Sequence, residues 1–195
     1  MNIFNEAEFI QICKRVKVES HVEGIVINYP TAGFFNKMKK SIETDRRGEV
    51  AFCVIRPNGK IITVTCSEYP EGIFRIPTGG IGHKEDILEA VFREAKEELG
   101  LETEIEGFLG VLKTKFVYQE ESCMFYSYLF LLREVSGRLL LDATDDEVSE
   151  IREVKIEELE EIARLLRNID GKWADWGNFR FETTNAYIKY LKNIM

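Results

Sequence analysis

The chain lacks most of the features that would assign it to a special class. No run of apolar residues is long enough to cross a bilayer, and nothing at the start reads as a secretory leader. The cysteines Cys13, Cys53, Cys66 and Cys123 show no C-x-x-C spacing, so neither a zinc site nor a disulfide framework is expected. Cys53 and Cys66 fall in apolar, strand-like runs and read as buried free thiols. Positive charge is in deficit: 26 Lys and Arg against 34 Asp and Glu give a net charge of −8. That balance argues against general nucleic-acid binding and against a membrane surface. Bound cations could still reverse the field locally for a phosphorylated substrate. Internal repeats and low-complexity segments are absent. A cytoplasmic protein is the expectation.

What remains is an ordinary globular composition. With 195 residues, 45% of them hydrophobic, the chain can bury one good core, so one domain with additions is expected. Residues 1–18 alternate apolar and charged at a helical period, and EGIVINY (23–29) is a short β-branched run ended by Pro30. FFNKMKKSIE follows as a polar helical piece. The charged stretch 44–48 reads as a loop, which sets a boundary between residues 1–47, an accessory or dimerising extension, and 48–195. Lys37, Lys39, Lys40, Arg46 and Arg47 form a basic patch that either meets phosphate or is a solvated face.

Beyond residue 48 the pattern is cleaner. EVAFCVI and KIITVTC flank Pro57-Asn58-Gly59 as a hairpin. Residues 103–118 alternate like a strand, with Gly107 and Gly110 as bends. A polar turn at 119–122 precedes CMFYSYLFLL, another strand, and Ser136-Gly137 turns into RLLL. An acidic loop, DATDDE, leads to IREVKI and to the amphipathic helix EELEEIARLLRN. The tail carries Trp173 and Trp176, which either stack a nucleobase or pack a terminal helix on the core.

The informative stretch is GGIGHKEDILEAVFREAKEELGL, residues 79–101. Leu88, Val91, Phe92, Ala95 and Leu99 recur at helical spacing between Glu85 and Gly100, so an amphipathic helix follows a glycine loop. Glu94, Glu97 and Glu98 stand at i, i+3 and i+4 and crowd one patch of its surface, with Arg93 able to offset part of the repulsion. Such a cluster beside a glycine loop can hold hard cations that want oxygen ligands. Alone, it could equally be a solvated acidic face.

The stretch resembles the box of the Nudix family, G-x5-E-x7-R-E-U-x-E-E-x-G-U, where U is a bulky aliphatic residue. Gly79, Glu85, Arg93, Glu94, Glu97, Glu98, Gly100 and Leu101 all fall on that pattern, and only Ala95 departs from it. The resemblance implies an α/β fold: a Nudix-like α/β/α sandwich with a mixed β-sheet, here with an N-terminal extension and a C-terminal helix. It implies a hydrolase that splits a phosphoanhydride in a nucleoside diphosphate linked to another moiety, such as a dinucleoside polyphosphate or ADP-ribose. The alternative is a catalytically weak module that senses nucleotides or binds protein. A non-hydrolytic isomerase of isoprenyl diphosphates shares the fold, but no catalytic cysteine can be matched here.

On the same resemblance, Mg²⁺ or Mn²⁺ would be the cofactor, held by Glu94, Glu97 and Glu98 with the Gly79 carbonyl. Arg93 would orient the carboxylates, and Glu85 would serve the helix dipole, metal or water. Gly80 and Tyr118 are the candidates for substrate contact. Tyr118 stands where some dinucleoside polyphosphate hydrolases of the family carry a tyrosine, and the proline of some ADP-ribose hydrolases is missing near Phe116. Several members bring a further glutamate from the loop before the last sandwich strand. Asp145, Asp146, Glu147 and Glu150 are the candidates, and Glu147 is the match if Glu153 takes the place of the family's aromatic. Glu120 and Glu121 are the runners-up. His83 either contacts phosphate or is an exposed loop residue, and His21 carries no signal.

Overall fold

Two glycine-free apolar runs in the middle of the chain cannot face water on either side, so helices must cover both. Val50, Phe52 and Val54 alternate with Ala51 and Cys53, and all five are buried. This is the pattern of a central strand covered on both faces. The computed structural model describes residues 3–144 and 147–194. In chain order they form α1 (Glu6–Val16), β1 (His21–Asn28), α2 (Ala32–Thr44), β2 (Arg46–Ile55), β3 (Ile61–Thr65), β4 (Thr78–Gly82), α3 (Ile87–Leu99), β5 (Leu101–Tyr118), β6 (Glu121–Gly137), β7 (Glu150–Val154), α4 (Ile156–Arg167) and α5 (Ala174–Ile194).

The strands make one mixed sheet in the order β1-β5-β6-β2-β3-β7, with β4 pairing antiparallel to the first half of β2. β1 joins β5 in parallel and β2 joins β6 in parallel, while β5 and β6 form a long antiparallel hairpin. On one face, α1 and α3 pack over Val50, Phe52, Phe108 and Phe130. On the other, α4 and α5 cover Ala51, Cys53, Leu129 and Leu131. The Tyr187 hydroxyl of α5 lies 2.6 Å from the Ala51 carbonyl and 3.0 Å from that of Phe130, tying α5 to the two central strands. α2 closes a third cluster around Phe35, Phe116, Phe125 and Phe179. The α/β/α sandwich with a mixed sheet is therefore present.

Several local expectations change. The stretch 44–48 is not a loop: α2 runs to Thr44 and β2 begins at Arg46. Charged side chains masked that strand start, since Arg46 and Arg47 are held by partners rather than by the core. The segment before Gly79 leads not into a loop but into β4, whose sequence TGGIG has too few side chains to show an alternation. β6 already begins at Glu121, leaving a tight turn in which Gln119 adopts φ 53°. RLLL after Gly137 forms turns without helix or strand. All four cysteines are free, but only Cys53 is buried and Cys66 is half-buried.

Candidate active site

The box helix α3 is fixed at both ends by its own residues. Asp86 accepts hydrogen bonds from the Leu88 and Glu89 amides at 2.9 and 3.2 Å, capping the free N–H groups of the first turn. Gly100 ends the helix at φ 74°, where a side chain would also collide with the backbone of Ala143 at 2.6 Å. Between these caps, Glu94 and Glu98 are drawn inward to 9% and 2% exposure, whereas Glu97 stays half-buried.

The glycine strand decides how deep the carboxylates sit. Gly79 of β4 pairs with Val50 of β2 and faces α3. A β-carbon on Gly79 would fall 2.0 Å from the carboxyl carbon of Glu94 and 2.3 Å from its Oε2. Only glycine leaves room for that carboxylate. Burial pushes the Glu94 carboxyl above its usual range, and the neighbouring Arg93 guanidinium opposes the shift. Glu98 lies within electrostatic reach of the fully buried Arg75, whose guanidinium bonds Tyr69, Thr78 and the Ile76 carbonyl.

Arg93 is the hub. Its Nε and Nη2 donate to Glu85 at 2.7 and 3.1 Å. Nη1 donates to Glu94 at 2.9 Å and to Glu97 at 2.6 Å, and Nη2 reaches the Gly80 carbonyl at 3.0 Å. One guanidinium thus links three carboxylates and the glycine strand with charge-assisted bonds. Glu85 also accepts from the Gly82 amide at 2.9 Å, and Arg93 is the main reason its carboxyl is held low. From outside the box, Arg47 binds the Gly82 and Glu85 carbonyls at 3.3 and 2.7 Å and forks onto Glu8 of α1 at 2.7 Å twice. Arg15 of α1 pairs with the capping Asp86 at 2.6 Å. The N-terminal helix therefore braces the box loop.

The family model described as NUDIX domain matches residues 45–177. The chain belongs to the Nudix family. Nudix hydrolase 8 of Arabidopsis thaliana is 31% identical over 80 residues, which are 41% of this chain and 21% of that protein. The chain thus spans well under half of that curated relative. A NUDIX hydrolase structure from Nitrosomonas europaea superposes with a TM-score of 0.51 at 16% identity, covering 71% of this chain and 86% of that one. One from Listeria monocytogenes gives 0.51 at 15% identity, covering 75% and 94%. These structures share the fold. α1, β1 and α2 precede the matched Nudix region, and most of α5 follows it.

The Nudix carboxylates are gathered, but not as a finished ligand set. Among the described residues, no three His, Cys, Asp or Glu side chains surround one point that would hold a metal. The Arg93 guanidinium takes oxygens of Glu85, Glu94 and Glu97. The donors nonetheless suit a hard cation, being carboxylates and backbone oxygens with no thiol or imidazole among them. The space that Gly79 leaves for Glu94 is the structural sign of that fit.

The other expected site residues are scattered. The loop after β6 is stitched to the box helix where the Thr144 amide donates to the Glu97 carbonyl at 3.0 Å. Glu147, exposed, lies shortly beyond that stitch, while Asp145 and Asp146 lie outside the described residues. Glu150 begins β7, and Glu153 is committed to Arg56 and Asn58. Tyr118 is not brought to the box. Gly80 aligns with Glu49, Ser127 and Leu112 across the sheet, and Tyr118 ends β5 further along, about 20 Å by strand rise. Its ring packs 5.9 Å from that of Phe35. Glu120 and Glu121 share that remote turn, with Glu121 paired to Lys39 at 2.6 Å. Trp173 and Trp176 pack on each other and on Tyr69 at 4.4–5.4 Å between centroids.

Sequence reasoning missed two groups beside the glycine strand. Glu49, 1% exposed, accepts from Ser127 at 2.8 Å and from Arg180 of α5 at 2.9 and 3.0 Å. A carboxylate at the head of the apolar run EVAFCVI was the available signal for it. Arg46 lies over Gly80, and only its membership of the basic patch hinted at a role.

Proposed function

We propose that the protein is a metal-dependent hydrolase that splits a phosphoanhydride in a nucleoside diphosphate linked to another group. The observation that carries this reading is the packing of Glu94 against Gly79, with Arg93 joining Glu94 and Glu97 to the same spot. Mg²⁺ or Mn²⁺ bound there would neutralise the diphosphate and lower the pKa of a bound water. Glu94, Glu97 and Glu98, with the Gly79 carbonyl, are the proposed ligands. Arg93 would keep the remaining oxygens in place and, as the ligands turn toward the cation, hold the Gly80 carbonyl and Glu85. Water is a poor nucleophile, and the anionic substrate repels hydroxide, so preorganised positive charge is where the rate would come from.

The deciding experiment is a nucleotide panel with Mg²⁺ or Mn²⁺, scored by product release. Replacing both Glu97 and Glu98 with Gln should abolish turnover with the fold intact. Unchanged hydrolysis in that variant would remove the box from the mechanism, and an intact wild type that splits nothing would favour a binding module. The same ligands give a thermodynamic check. Metal that binds only the folded state raises Tm by mass action, by about 2.7 kcal/mol of stability at a hundredfold excess over Kd. The double variant should lose that rise.

Glu147 is proposed as the carboxylate that takes the water proton, since its loop is anchored on the Glu97 turn. Glu147→Gln should lower kcat by about two to four orders of magnitude with little change in Tm. Near-wild-type turnover, together with a dead Glu120→Gln or Glu121→Gln, would move that role to the other loop.

A further inference from the structure

Gly79 and Gly80 are neighbours on β4, yet different groups crowd them. Adjacent strand residues face opposite ways, so where Gly79 admits Glu94, Gly80 opens to the other side. There, a β-carbon would lie 3.0 Å from Cζ of Arg46 and 3.2 Å from both its Nε and Nη1. The guanidinium rests on a strand that carries no side chain at either glycine. Among the described residues β4 has β2 as its strand neighbour, and its Gly80 and Gly82 carbonyls are taken by Arg93 and Arg47 rather than by a second strand.

The donors of Arg46 are not used up by the fold. Nε is paired at 2.8 Å with the exposed, adjacent Asp45, while Nη1 and Nη2 donate to nothing among the described residues. The buried carboxylate on the same sheet face, Glu49 directly opposite Gly80, is already neutralised by Arg180. Arg46 is also close enough to Glu94 to favour that carboxylate's charged form. A cation with free donors therefore stands across one bare strand from a carboxylate cluster.

We propose that Arg46 binds the diphosphate of the substrate, holding a phosphate oxygen across Gly80 while the box carboxylates hold the cation on the other side. This rests on the hydrolase reading above and adds to it the residue that positions the anion. A planar guanidinium suits the task, because two parallel N–H bonds to one phosphate fix direction as well as charge. Gly80 is needed for the same reason as Gly79: it lets a side chain lie against the strand. The backbone at Gly80 is one that any residue can adopt, so alanine there tests space and not strain.

The test uses the full chain, Mg²⁺ and methylenediphosphonate, a diphosphate mimic that cannot be hydrolysed, with binding read by calorimetry. Arg46→Gln should weaken the mimic by about tenfold or more, equivalent to about 1.4 kcal/mol, with Arg46→Lys in between. Mg²⁺ affinity measured without the mimic should stay at the wild-type value in both. Gly80→Ala should weaken the mimic by displacing the guanidinium, and should add nothing in an Arg46→Gln background, because one contact is lost only once. If Arg46→Gln binds like wild type while the Glu97/Glu98 double variant does not bind, Arg46 has no such role and the hydrolase reading stands. If the wild type fails to bind the mimic with Mg²⁺ present, the diphosphate reading and this proposal fall together.

Discussion

Gly79→Ala is expected to lose hydrolysis by about two to three orders of magnitude while remaining folded. The new methyl group would lie 2.0 Å from Cδ, 2.1 Å from Cγ and 2.3 Å from Oε2 of Glu94. All three atoms belong to the end of one flexible side chain. The cheapest relief is to swing that carboxylate away, which breaks its 2.9 Å bond from Arg93 and leaves the backbone in place. Overpacking of this kind costs about 1–3 kcal/mol, well within what a folded domain tolerates. Turnover and a melting curve on the same sample decide it. Retained turnover would mean that Glu94 is not needed where it sits, and an unfolded variant would mean that the glycine serves the fold alone.

The second large effect concerns stability. Arg180→Met leaves the Glu49 side chain, 1% exposed, with the Ser127 hydroxyl as its remaining hydrogen-bond partner among the described residues. Removing one partner of a buried ion pair costs about 3–5 kcal/mol, which for a chain of this length lowers Tm by roughly 6–20 °C. Glu49→Leu combined with Arg180→Met should recover most of the loss, because the desolvation of both charges disappears together. Thermal melts of the two single variants and the double one test this. Single variants within about 1 kcal/mol of wild type would show that water reaches the pair. Because Arg180 lies past the matched region and Glu49 within it, the C-terminal helix is tied to the strand that pairs with the box glycines.

How much of this could be read beforehand depended on whether the information was local. α3 was legible because its caps and its apolar stripe are neighbours in sequence: the pattern from Glu85 to Leu99 became Ile87–Leu99 with Asp86 as the cap. The β2–β3 hairpin was legible from its turn, and the bends at Gly107 and Gly110 coincide with the register shifts of β5. β4 was not, because Gly79, Gly80 and Gly82 have no side chains to alternate. The spacing of Glu94, Glu97 and Glu98 put them on one patch but could not say that two would be buried. Their depth is set by how closely β4 approaches, which is a property of its glycines. The Glu49–Arg180 pair joins residues 131 positions apart, and nothing near either one announces the other. Tyr118 shows the limit of counting along the chain. A fixed offset from the box says nothing of where a strand carries a residue, and β5 carries this one away.

The parallel joining of β1 to β5 has a consequence for how the chain is assembled. His21 pairs with Gly110, and the register runs on to Asn28 with Val117. On a ribosome adding about 5–20 residues per second, β1 emerges roughly 5–20 s before its partner strand is complete. It cannot fold as a hairpin with its neighbours in the meantime, since a parallel pair needs a long crossover. During that wait its backbone groups are open to any other strand edge. The charge of half-buried Glu23 and the alternation of exposed and half-buried residues along most of β1 make it a poor template for such pairing. β1 is thus an edge strand of the finished sheet, and its pairing closes a loop of about ninety residues.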